Sequence, residues 1–147
     1  MNTALIDLAK SIATAAHEGQ VDKLGAAYIG HPARVAAHAE RLGGSEQAIA
    51  AAWLHDVIED TPLTSADLLA RGISSDVVNA VLLLSKTSGQ GMEEYCSGIR
   101  GNPLALLVKE ADLADNTDPA RTALLDQSTR ERLAEKYAAT RRLLNLS

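Results

Sequence analysis

The chain has no phenylalanine, one tryptophan and three tyrosines, so aromatics make up only 3% of it. Its core must be built from Leu, Ala, Val and Ile instead. Alanine is the strongest helix former, and its small side chain lets helices approach closely, so the composition favours an all-α fold. A single cysteine, Cys96, excludes an internal disulfide and fits a reducing, cytoplasmic setting. No histidine neighbours it, and it reads as a small core residue. No run approaches the roughly 20 apolar residues that a membrane-spanning helix requires. The N-terminal stretch carries Asp7 and Lys10 and does not read as a secretory signal. Positive charge is also scarce. Fourteen Lys and Arg face nineteen Asp and Glu, for a net charge of -5. No basic stripe offers itself to nucleic acid. The 147 residues are enough for one good core, and residues 1–147 are read as a single domain.

What is present is helical periodicity. Ala4, Leu5, Leu8, Ala9, Ile12, Ala15 and Ala16 recur at helical spacing and predict a helix over 2–17. A loop with Gly25 and Gly30 follows. His31-Pro32 opens the second helix, with proline in its favoured first-turn place, and Gly43-Gly44 stops it. Ser45 caps a third helix expected to run to about Ile58. Thr61-Pro62 breaks the chain, and Thr64 to Asp67 has the form of a capping box. Ser74 or Ser75 caps the next helix. Residues 85–91 form a polar loop. Short helical stretches follow at 92–100 and from Asn102-Pro103 to Asp118-Pro119, then a last amphipathic helix at about 128–145. Arg130, Arg132, Arg141 and Arg142 read as the wet face of that last helix.

One stretch does not fit a plain core. Leu54-His55-Asp56-Val57-Ile58-Glu59-Asp60-Thr61 ends an almost wholly apolar helix with four titratable side chains. Buried imidazoles and carboxylates are costly unless paired or bound to metal. Glu59 returns to the face of His55 and Asp56, and Asp60 lies four residues after Asp56. His31 and Asp112 stand in similar places on other helices. Together His31, His55, Asp56 and Asp112 make a nitrogen and oxygen donor set. It suits a divalent ion such as Mn(II) or Fe(II), and less clearly Zn(II). Such an ion lowers the pKa of a bound water. His17 reads as structural, and His38 as helix surface. Asp115 reads as solvated or as a supporting residue beside the ligands.

The order His…His-Asp…Asp resembles the HD superfamily of metal-dependent phosphohydrolases. His17-Glu18-Gly19-Gln20, Tyr28-Ile29-Gly30-His31-Pro32 and Arg34-Val35-Ala36 resemble, more closely, the hydrolase half of the RelA/SpoT family. So do Trp53 to Thr61 and Lys109 to Asn116. The match runs in register from about residue 5 to 120. The resemblance implies a compact HD helical bundle of about seven or eight helices. It implies His31, His55, Asp56 and Asp112 as ligands of Mn(II), and Glu59 and Asp60 beside the attacking water. It implies Asn116 as a substrate or site residue, and removal of the 3′-pyrophosphate from ppGpp and pppGpp. For such a nucleotide, Lys23, Lys86 and Lys109 are candidate phosphate contacts, and Tyr28 a candidate for the base or ribose. No synthetase half is seen, so the chain is similar to the stand-alone small alarmone hydrolases. It departs from the family at two places. The family's basic pair before the tyrosine is here Asp22-Lys23, and its arginine after the last metal aspartate is Leu113. Both changes remove positive charge near an anionic substrate. Two other functions therefore stay open. One is HD phosphatase activity on NADPH, a nucleoside monophosphate or another phosphoester. The other is a metal- and nucleotide-binding module with little turnover.

Overall fold

A computed structural model describes residues 3–146. Among them there are ten helical segments and no strand; the sole β-type pairing is an isolated bridge between Val21 and Ala27. The segments are α1 (Ala4–Ala16), α2 (Gly30–Arg41), α3 (Glu46–Leu54), α4 (Val57–Asp60) and α5 (Ser65–Ala70). They continue as α6 (Ser75–Leu84), α7 (Met92–Arg100), α8 (Pro103–Asn116), α9 (Pro119–Thr122) and α10 (Gln127–Leu143). Eight of the ten have six residues or more, and α4 and α9 have four each. The all-α expectation is borne out. The first residue of the helix expected over 2–17 lies outside the described residues.

α3 is the centre of the bundle. It packs against α1, α2, α6 and α8. Ala50, Ala51, Ala52 and Leu54 are completely buried, so the helix has no wet face. A helix apolar all round belongs in the interior, and alanines let four neighbours close on it. Trp53 is half-buried, and the Lys10 ammonium lies 5.7 Å from the centroid of its ring. Ser45 caps α3 by accepting from the Ala48 N–H at 3.2 Å, as expected. The capping box at the start of α5 is complete, with Thr64 and Asp67 bonded reciprocally. Ser74 precedes α6 but its side chain makes no cap bond.

Three boundaries differ from the sequence expectation. α2 begins at Gly30, one residue before His31-Pro32. Asp118-Pro119 does more than close α8: the Asp118 carboxylate accepts from the Ala120 N–H at 3.0 Å and starts α9. That turns the chain back toward the end of α8. Most consequential, the helix expected to reach Ile58 stops at Leu54. His55 and Asp56 form a break, Asp56 having φ -103° and ψ -2°, before α4 resumes. Adjacent residues of a continuous helix point about 100° apart. The break lets both side chains turn to one point.

Candidate metal centre

Three elements supply the centre. His31 is in the first turn of α2, His55 and Asp56 lie in the break after α3, and Asp112 is on α8. α2, α3 and α8 all pack on one another, which brings residues far apart in sequence together. His31 Nε2 lies 2.9 Å from Asp112 Oδ1 and 3.8 Å from Asp56 Oδ2. His55 Nε2 lies 3.1 Å from Asp56 Oδ2 and 3.5 Å from Asp112 Oδ1. One ligand atom each of His31, His55 and Asp112 falls within 4.8 Å of the others. All three residues are buried.

The other ring nitrogens are spoken for. His55 Nδ1 donates to the Ala52 carbonyl at 2.7 Å, so Nε2 is the ring nitrogen left facing the centre. His31 Nδ1 is 2.7 Å from Asp115 Oδ2, so its Nε2 also faces inward. His55 Nε2 is buried and makes no hydrogen bond; its 3.1 Å approach to Asp56 is a close contact of poor angle. A buried imidazole nitrogen without a partner calls for one. Two inward nitrogens and two carboxylates fit a divalent cation of borderline to hard character.

The electrostatics agree. Burial pushes the Asp56 carboxyl up, but the facing His55 imidazole more than offsets it and holds it at about 2. Burial likewise opposes ionisation of Asp112, while the Lys109 ammonium and the two imidazoles hold it well below the usual range. Burial lowers the His55 imidazole, yet Asp56 and Asp112 raise it well above its ordinary value. His31 is raised against burial by its bonds to Asp112 and Asp115. Two ionised carboxylates thus draw positive charge to the imidazoles, which is the balance a divalent cation satisfies.

A ring of polar residues supports the four. The Tyr28 hydroxyl donates to Asp56 Oδ2. Asn116 Nδ2 donates to Asp112 Oδ1 at 3.2 Å, and Lys109 Nζ to Asp112 Oδ2 at 3.1 Å. Asp115 is 0% exposed, so it is not solvated. Besides His31 it accepts from Arg34 Nε at 2.8 Å and Arg121 Nη1 at 3.0 Å. Asp112, Asp115 and Asn116 are spaced i, i+3, i+4, which puts them on one face of α8.

Above the centre is a cavity of about 630 Å³. That is the size of an ordinary small-ligand site. Glu59 and Asp60 line it, both exposed. Glu59 Oε1 accepts from the Lys86 N–H at 2.6 Å, tying the 85–91 loop to α4. The Asp60 carbonyl accepts from Gln20 Nε2 at 3.1 Å, and Gln20 Oε1 in turn accepts from His17 Nδ1 at 2.8 Å. Burial, Asp56 and Glu59 push the Asp60 carboxyl up. His17 is buried beside Tyr28, their rings 5.0 Å apart. His38 is half-buried, pairs with Arg41 at 3.1 Å, and does not line the cavity. Cys96 is buried, as its reading as a core residue requires.

Five cations line the cavity: Lys23, Lys86, Lys109, Arg121 and Lys136. Sequence reasoning found the first three and missed the last two. α10, read only for its wet arginines, also forms a wall with Leu133, Lys136, Tyr137 and Thr140. The Asp118-Pro119 pair marks a helix start in sequence, but that α9 brings Arg121 to the cavity is seen only in the fold.

The fold and centre define an all-α protein with a two-histidine, two-carboxylate cluster under a cation-lined cavity. Residues 9–146 match the family model described as the HD domain, and the chain belongs to the HD domain family. It is 38% identical over 133 residues to the guanosine-3′,5′-bis(diphosphate) 3′-pyrophosphohydrolase of Haemophilus influenzae, covering 85% of this chain and 20% of that one. It is 32% identical over 134 residues to the bifunctional (p)ppGpp synthase/hydrolase SpoT of Escherichia coli K12, covering 85% and 19%. The chain therefore spans about a fifth of the length of these curated relatives. A solved structure of a metazoan SpoT orthologue, described as hydrolysing ppGpp, is similar with a TM-score of 0.81 at 21% identity. That likeness covers 98% of this chain and 87% of the other, and it carries the fold. No helix among the described residues is long and apolar enough to cross a membrane.

Proposed function

We propose that the chain is a metal-dependent phosphohydrolase that removes the 3′-pyrophosphate from ppGpp and pppGpp in the cytoplasm. The observation that carries this is the convergence of His31 and His55 Nε2 with Asp56 and Asp112 at the floor of a cavity lined by five cations. The names of the relatives supply the substrate. His31, His55, Asp56 and Asp112 would hold a divalent cation, with Mn(II) the ion proposed. Bound there, it would act as a Lewis acid toward the phosphoryl group and raise the acidity of a water.

The chain's own residues do the rest. Glu59 spends one oxygen on the Lys86 N–H and has the other for a water proton. Asp60, beside it, orients that water. Lys23, Lys86 and Lys109 neutralise phosphate oxygens. Tyr28 holds Asp56 with its hydroxyl and turns its ring to the base or ribose. Asn116 steadies Asp112 and faces the substrate from the cavity wall.

The test is a panel assay with Mn(II), following pyrophosphate and orthophosphate separately. Pyrophosphate released from ppGpp is the expected result. Orthophosphate from NADPH or a nucleoside monophosphate overturns the alarmone and keeps the phosphohydrolase. Metal binding without turnover on any member overturns both, in favour of a binding module.

A further inference from the structure

Arg121 faces two carboxylates. Its Nη1 is fixed on the buried Asp115, 3.0 Å from Oδ2 and 3.4 Å from the backbone carbonyl. Its Nη2 lies 3.9 Å from Asp22 Oδ2. The Arg121 side chain is 25% exposed and that of Asp22 13%. Asp22 is itself fixed. Its Oδ1 accepts from the Leu24 and Ala26 N–H groups, at 2.9 and 3.0 Å, and so shapes the turn that carries it. Both residues line the cavity. Only one carboxylate and one imidazole ring separate Arg121 from the inward nitrogen of His31. A guanidinium anchored by one edge and open on the other is a ready phosphate contact.

We propose that Arg121 Nη2 binds a phosphate group of the substrate other than the one attacked, and that Asp22 competes with that phosphate for it. Asp22 then sets how much charge a substrate must carry. A multiply charged phosphate displaces the carboxylate at long ion-pair distance, and a substrate with a single phosphate group leaves it in place. This deepens the phosphohydrolase reading and rests on it.

The test is a double-mutant cycle with Asp22→Asn and Arg121→Gln. Asn keeps the Oδ1 acceptor that shapes the turn and removes only the charge. Asp22→Asn should lower KM for ppGpp by roughly two- to fivefold, the range for one partly exposed charge pair. kcat should stay within about twofold, and KM for a single-phosphate substrate should not move. In the Arg121→Gln background the fall in KM should vanish. Arg121→Lys, which keeps a cation for Asp115, serves if the Gln variant does not fold. An unchanged KM in Asp22→Asn overturns the proposal, as does an equal fall with and without Arg121. Calorimetric binding of guanosine 5′-diphosphate in EDTA separates the two levels. Tighter binding by Asp22→Asn that requires Arg121, in a protein that hydrolyses nothing on the panel, sinks the function and keeps this contact. Hydrolysis of ppGpp with no coupling in either measurement sinks the contact alone.

Discussion

Asp115 holds His31 across 84 residues of sequence, with 2.7 Å between Oδ2 and Nδ1. The carboxylate is wholly buried and carries two arginines on its remaining lone pairs. It thereby fixes which nitrogen of His31 points to the centre. Partners of this kind typically change metal affinity by about 10- to 100-fold. Asp115→Asn keeps an acceptor for His31 and loses the charge that balances Arg34 and Arg121. Mn(II) affinity, read by the electron-spin signal of the free ion, should fall by about tenfold or more. Asp115→Ala should also destabilise the metal-free protein by about 3–5 kcal/mol, the scale for breaking a buried ion pair. A variant with wild-type affinity would remove Asp115 from this role.

Metal removal should act on stability as well as on turnover. A ligand that binds only the folded state stabilises it by mass action, about 2.7 kcal/mol at a hundredfold excess over Kd. EDTA should lower Tm and abolish turnover, and Mn(II) should restore both. Asp112→Ala should bind no metal by mass spectrometric analysis, and EDTA should then leave its Tm unmoved.

Glu59→Gln separates proton handling from metal binding. The Gln side-chain oxygen can still accept the Lys86 N–H, so the 85–91 loop keeps its tie to α4. What is lost is the carboxylate. Turnover should fall by about two orders of magnitude or more, the scale for a general base. Metal content should stay at the wild-type level. Near-normal turnover would take the role of base away from Glu59.

How much of this was legible in the sequence follows from the range of each interaction. The break between α3 and α4 was not legible. Its apolar periodicity runs unbroken through Leu54, and only tertiary packing turns His55 and Asp56 together. The four candidate ligands were legible, because buried titratable residues at the ends of apolar helices need a partner. Asp115 was half legible: its spacing from Asp112 put it on the right face, but its burial depends on Arg34 and Arg121 from elsewhere. Arg121 and the α10 wall were illegible, since nothing local marks which polar side of an amphipathic helix faces a cavity.

Gly44 tests the packing around α3. A Cβ there would lie 2.8 Å from the Ala39 carbonyl oxygen and 3.2 Å from both Ala48 Cβ and Leu107 Cδ2. The first contact is with backbone at the end of α2, which has little room to give. Gly44→Ala should therefore destabilise by about 1–3 kcal/mol, the usual range for overpacking. Because α2 carries His31, Mn(II) affinity should weaken too. An unchanged chemical-denaturation midpoint would show that the turn relaxes freely.

Lys109 sets a sign that the other variants do not. Its ammonium lies 3.1 Å from Asp112 Oδ2 and 5.5 Å from the centroid of the Tyr95 ring. Burial works against its charge, and Asp112 holds its pKa above the ordinary lysine value all the same. A fixed cation beside a candidate ligand stabilises the metal-free carboxylate and repels a metal. Lys109→Met keeps the length and apolar stem of the side chain and removes the charge. Mn(II) should then bind more tightly, by about tenfold for one unit charge at this kind of separation. The metal-free protein should lose stability, because Asp112 is left without its strongest counter-charge. Turnover should nonetheless fall if Lys109 is the phosphate contact proposed above. Tighter metal with slower turnover is a combination that simple unfolding cannot produce. Weaker metal binding in Lys109→Met would mean that Lys109 serves chiefly to hold Asp112 in place.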